Sequence, residues 1–148
     1  MANLVTNIGK GRFVYYAGLP AADDSLIAVV LEATGLEADD ALQDYDDLAA
    51  LIAGASNEQT TMGRKTLANV TVNVNDAANT ASIDCDDITW TAATGNATGK
   101  LVVCYKPAAA SVDSAIIPLT LHDFSVTPDG TDITVQINAA GLATAANA

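Results

Sequence analysis

The strictest constraint in this sequence is the period-two alternation of apolar and polar residues that begins near residue 70. The run 70–74 alternates Val with Thr and Asn, and 133–137 alternates Ile and Val with Thr and Gln. Such alternation puts every second side chain on one face of a strand. Further strands are predicted at 81–85, 88–91, 101–105 and 115–121. Short strands joined by turns predict a mainly β fold, either an antiparallel β-sandwich or a barrel.

Three other patterns complete the predicted fold. Residues 25–33 contain a continuous apolar run, which predicts a strand buried on both faces, or a short helix, since periodicity alone does not separate the two. Apolar residues at helical spacing predict one α-helix over about 40–53, capped by Asp39 or Asp40. Pro118, inside a predicted strand, indicates an edge strand or a bulge.

The length of 148 residues predicts one domain whose hydrophobic core is large enough to be stable without disulfides or a structural metal. Residues 1–18 are predicted to form an extended N-terminal arm that becomes a strand at Phe13. Residues 19–148 are predicted to form a single β-rich domain, and its Ala-rich tail from 139 to 148 is expected to fray.

The charge balance excludes several classes of partner. Six basic residues against eighteen acidic ones give a formal net charge of -12. Binding to nucleic acid or to an anionic membrane surface needs a basic footprint, which six scattered residues cannot supply. The longest apolar run, 26–31, is far shorter than the roughly 20 residues that span a bilayer, and no secretory signal is visible. We therefore expect synthesis in the cytoplasm.

The sequence also lacks the usual groups for catalysis. His122, the single histidine, is followed by Asp123, but adjacent residues of a strand point to opposite faces and no nucleophile motif accompanies them. The acids at 39–47 and 84–87 do not have the order of a calcium-binding loop and are expected to form solvated surface. We expect no enzymatic activity, no cofactor, no metal and no small-molecule substrate.

Cys85 and Cys104 allow two interpretations. Both lie in predicted strands, so they are either small buried side chains or a cross-strand disulfide formed after release from the cell. One histidine and two cysteines are too few for a zinc site.

Arg12, Phe13, Tyr15 and Tyr16 are the candidate partner-binding residues. Arg and Tyr are enriched at interface hot spots because they combine a large contact area with polar reach. Four such residues lie within five positions of a chain that is poor in bases and aromatics. The alternative is that Phe13 and Tyr15 form one inward face of the first strand.

Several short strings resemble small structural proteins of tailed bacteriophages. They are GLEAD (35–39), YDDLAAL (45–51), RKTL (64–67), ITWTA (88–92), GKLVVCY (99–105) and IIPLTLHDF (116–124). The resemblance spans roughly residues 25–142 and contains no mechanistic motif. It therefore favours a virion structural protein as the class, but it does not indicate where on the particle such a protein would lie.

The resemblance implies a capsid decoration (cement) protein on the outside of the virion, bound to the assembled major capsid protein as a homo-oligomer. A tail or head–tail connector component is the alternative of the same class. A host-surface binding module that presents loops 94–99 and 107–113 to glycans is an alternative of a different class, and the scarcity of aromatic residues speaks against it.

Overall fold

The computed structural model describes residues 4–6, 12 and 14–146, with residues 4 and 5 described by their backbone alone. This part of the chain contains ten strands, two short α-helices and a helical turn at residues 14–17. The strands are β1 (Leu4–Val5), β2 (Ser25–Glu32), β3 (Lys65–Thr66), β4 (Thr71–Asn75), β5 (Thr80–Asp84), β6 (Ile88–Trp90), β7 (Thr98–Lys106), β8 (Ile117–Asp123), β9 (Ile133–Val135) and β10 (Ala143–Ala146). The helices are α1 (Asp39–Leu42) and α2 (Leu48–Ala53).

The strands form three antiparallel sheets. The largest has the order β1-β8-β7-β2-β3, a second has the order β10-β5-β4, and β6 pairs with β9. The fold is mainly β, as the sequence predicted. Strand β2 is buried along six consecutive residues, which confirms the prediction of a strand covered on both faces.

The five-stranded sheet separates two apolar clusters. On one face, side chains such as Leu26, Val30 and Val103 pack with Ile83 and Trp90 of the two smaller sheets, in an open sandwich. On the other face, alternate residues of the same strands pack against α1 and α2. Strands β2 and β7 are therefore apolar on both sides, whereas β6 and β9 alternate between more buried and more exposed residues.

The helix predicted over about 40–53 forms as two short helices. Asp47 has an extended backbone, with φ of -143°, and its side chain accepts a hydrogen bond of 2.8 Å from the Ala50 amide. It therefore caps a new helix at Leu48 instead of continuing the first one.

The bulge predicted at Pro118 is confirmed. The pairing of β7 with β8 shifts register between Val103 and Cys104, and Pro118 stands opposite Cys104. The loop predicted at 94–99 is shorter, because β7 already begins at Thr98, whose hydroxyl donates to the Phe124 carbonyl at 2.5 Å.

The prediction for the C-terminal tail was wrong for residues 143–146. They form β10, which pairs with β5 in a continuous antiparallel register. Pairing with an existing strand overrides the low β propensity of alanine.

Both cysteines are free and buried. Cys85 belongs to the cluster against the smaller sheets and Cys104 to the cluster against the helices. The five-stranded sheet thus lies between the two thiols, in agreement with the interpretation as buried side chains and not with the disulfide.

A search of the described residues for a helix with the length and apolarity of a membrane span found none.

Candidate interaction surface

Tyr15 and Tyr16, two of the candidate partner-binding residues, lie in a helical turn. Residues 14–17 are helical, so the prediction of a strand that starts at Phe13 was wrong for these positions. The Gly18 amide donates to the Val14 carbonyl and the Leu19 amide to the Tyr16 carbonyl, both at 3.1 Å. Leu19 then ends the turn with a φ of 49°. Phe13 itself lies outside the described residues.

Tyr16 attaches this turn to the large sheet. Its ring stacks on that of Tyr105 in β7, with the ring centroids 4.5 Å apart and the planes at 30°. The Tyr105 hydroxyl donates to Asp24 Oδ2 at 3.0 Å, and the same carboxylate oxygen accepts from the Ala21 amide at 2.8 Å. Burial, followed by the bond to Asp24, raises the pKa of Tyr105 to about 12. The Tyr105 hydroxyl therefore stays protonated and donates to Asp24 at neutral pH. Tyr105 thus gives the turn a rigid support on the sheet.

The outer side of the turn is exposed. Arg12 is exposed, Val14 keeps 39% and Tyr15 57% of its surface accessible. The Tyr15 ring meets Tyr16 edge-on, with centroids 5.5 Å apart. The alternative that Tyr15 faces inward is therefore wrong. Stacking fixes Tyr16, and Tyr15 remains more than half exposed, which suits a contact residue.

Three contributors to this surface were missed at the level of sequence. Tyr105 and Asp24 form the base of the turn, and Val14 adds apolar area beside Tyr15. Tyr105 lies far along the chain in a buried strand, and no local signal connects it to the turn. Val14 could have been included, since it lies inside the aromatic segment itself.

His122 and Asp123 do not act as a pair. The His122 Nε2 atom lies 2.9 Å from the Thr120 hydroxyl, while Asp123 contacts Lys100 Nζ at 2.7 Å. Lys100 is completely buried and also contacts Asp39 of α1 at 2.9 Å. Burial, with a contribution from Lys100, lowers the pKa of His122 against the opposing effect of Asp123. Asp123 thus neutralises a buried ammonium group instead of orienting the imidazole.

The three acids at 84–87 that were considered for calcium each accept a separate local hydrogen bond. Asp84 accepts from the Cys85 amide, Asp86 from the Asn69 side chain and Asp87 from the Ile137 amide. Over residues 4–6, 12 and 14–146, no group of three His, Cys, Asp or Glu side chains has an arrangement that could hold a metal ion.

Comparison of the chain with protein-family models, with curated proteins and with solved structures gave no match.

Proposed function

We propose that this chain is a structural protein of a tailed-bacteriophage particle. It is a capsid decoration (cement) protein that binds the outer surface of the assembled major capsid protein and stabilises the head. In this proposal the chain is made in the host cytoplasm and ends on the virion exterior. Support comes from the resemblance of its short strings to phage structural proteins and from the surface around Tyr15.

The exposed turn is the observation that carries the proposal. Arg12, Val14 and Tyr15 offer a positive charge, an apolar patch and an aromatic ring within one turn. Tyr16 and Tyr105 hold that turn on a buried strand. A contact residue whose surroundings are already ordered loses less conformational entropy on binding. This is what a docking element on a rigid shell requires.

The charge of the chain fits a protein that coats a particle. Eighteen acidic residues against six basic ones keep neighbouring copies soluble when many are crowded on one surface. The exposed turn is small, so a single copy would bind the shell weakly. Once one subunit of an oligomer is bound, the turns of the other subunits bind at a high effective concentration, and the oligomer as a whole attaches stably.

The test is the heat resistance of undecorated heads with and without the purified protein. We expect added protein to raise the temperature at which heads release their contents. Tyr15→Ala should weaken binding about tenfold or more, as for a hot-spot aromatic residue. Val112→Ala is the matched control, since Val112 is 68% exposed and lies in another loop.

Two results would overturn the proposal. One is that the temperature at which heads release their contents does not rise, even with the purified protein in large excess over the heads. The other is equal loss of protection for Tyr15→Ala and Val112→Ala, which would remove the turn as the docking element.

A further inference from the structure

Strand β4 is an open edge of the three-stranded sheet. The order β10-β5-β4 gives β4 a neighbour on one side, and no other described strand pairs with it. Its five residues make it the longest edge strand in the described chain: β1 and β3 have two residues, β6 and β9 three, and β10 four. Four of its five residues are exposed.

The usual protections of an edge strand are missing from β4. Monomeric proteins cover such edges with charged residues, proline or bulges, because free backbone amides and carbonyls pair with other chains. Residues 66–75 contain neither a charged residue nor a proline, and β4 pairs with β5 without any register shift. By contrast, the short edge β3 carries Lys65.

The outer half of this hairpin also exposes apolar surface. Ile83 is fully buried and Val72 packs on the core, but Val74 is 61% exposed. Val74, Ala81, Ala145 and Ala146 line an open groove of about 330 Å³, together with the polar residues at 75, 76, 79 and 80. An isolated exposed valine needs no explanation, but here it lies on an open edge beside other apolar side chains.

We propose that β4 is a self-association surface, which pairs antiparallel with β4 of a second copy about a two-fold axis at Asn73. In this register Val72 of one copy lies opposite Val74 of the other, and Thr71 lies opposite Asn75. Valine meets valine on one face of the sheet, polar side chains meet on the other, and no charge faces a like charge. The strand is therefore complementary to itself, which a two-fold interface requires.

The product is a continuous sheet in the order β10-β5-β4-β4-β5-β10. Backbone hydrogen bonds across the axis satisfy the edge, as in other strand additions. The surface is distinct from the turn that carries Tyr15, so the inference does not depend on the proposed capsid function. Failure of head binding would leave the inference intact.

The first test is the molar mass in solution by sedimentation velocity. The wild-type chain should be a concentration-dependent dimer, strengthened by added salt because both copies carry a charge of -12. Val74→Lys places a charge against the partner's Val72 and should shift the protein to monomer. Val112→Lys adds the same charge at another valine, 68% exposed, and should leave the dimer unchanged.

The second test reads the register. Residues directly opposite in an antiparallel pair have Cα atoms about 4.5–5.5 Å apart, within the span of a disulfide. Asn73→Cys should therefore form a cross-linked dimer under mild oxidation. Thr71→Cys is the control, because its two copies would lie roughly 13 Å apart along the strands, too far for a bond.

The native cysteines should not disturb this measurement. Both are buried, and burial together with nearby Asp84, Asp86 and Asp87 raises the pKa of Cys85 to about 11. A protonated thiol reacts slowly in disulfide formation. A wild-type monomer at high concentration overturns the inference. So does a dimer that survives Val74→Lys, or one in which Asn73→Cys cross-links no better than Thr71→Cys.

Discussion

The ring of Tyr16 stacks on the ring of Tyr105 at a centroid distance of 4.5 Å and thereby joins the N-terminal turn to β7. Tyr15, its neighbour in sequence, remains 57% exposed. Adjacent tyrosines thus have opposite roles: Tyr16 holds the turn in place, and Tyr15 presents the surface.

This division of roles predicts different costs for the two alanine variants. Tyr16→Ala removes a stacked pair and should lower the free energy of unfolding by about 1–2 kcal/mol. Tyr15→Ala should change it by less than about 0.5 kcal/mol, as for an exposed side chain. Urea unfolding of both variants gives the comparison. A larger loss for Tyr15→Ala than for Tyr16→Ala would contradict the roles assigned to them.

Tyr105→Phe keeps the stack but removes the bond to Asp24, at an expected cost of about 1 kcal/mol. Its pH dependence is more specific. The folded pKa of about 12 lies above the ordinary value of 10.0, so the stabilisation is complete below pH 10 and is lost as the pH rises toward 12. Ultraviolet titration should show one tyrosine ionising near pH 12 in the wild type and not in the variant. Identical titration curves would contradict this.

Removal of the buried ammonium group of Lys100 should lower the free energy of unfolding substantially. Its side chain has no exposed surface, whereas Asp39 and Asp123 retain 20% and 39%. Lys100→Met leaves two carboxylates without this cation. The cost should be about 2–3 kcal/mol, below that of a fully buried pair because water reaches the carboxylates. Lys106→Met, at the end of the same strand, is the control and should change stability by less than about 0.5 kcal/mol. Equal effects would contradict the account.

His122 predicts a loss of stability in mild acid. Its pKa in the folded state is lowered from 6.5, so the unfolded chain binds a proton first as the pH falls. Stability therefore declines as the pH falls from about 6.5 toward the folded pKa. The denaturant midpoint should therefore fall with decreasing pH over this window in the wild type. In His122→Gln it should change less with pH. Parallel slopes would contradict it.

Local patterns in the sequence predicted much of the fold. Alternation identified β4 and β9, and a continuous apolar run identified β2, because burial on one or two faces decides which neighbouring residues are apolar. Strand-like runs between turns identified β5, β6, β7 and β8. Strand order, the Tyr16–Tyr105 stack and the Lys100 contacts join residues that are distant in sequence, and no local pattern encodes them.

Local signals also misled in two places. The segment around Tyr15 has high β propensity, yet its hydrogen bonds and the anchoring of Tyr16 make it a helical turn. The helix near 40–53 was predicted as one element because Asp47 was assigned to its solvent face and not to a cap.

Asp47 therefore gives a direct test of the divided helix. Asp47→Ala removes the bond to the Ala50 amide and should cost about 1 kcal/mol. Asp46→Ala removes a neighbouring exposed carboxylate and should cost less than about 0.5 kcal/mol. Thermal unfolding of the two variants compares them. Equal melting temperatures would argue for a single continuous helix.

The most direct test of the central claim counts copies on the particle. Undecorated heads would be sedimented with purified protein, and bound copies would be quantified by mass spectrometry against the major capsid protein. The account predicts saturable binding at many copies per head, reduced in Tyr15→Ala and retained in Val112→Ala. No binding, or a handful of copies, would contradict a decoration role and move the protein to the tail or connector, or to host-surface binding.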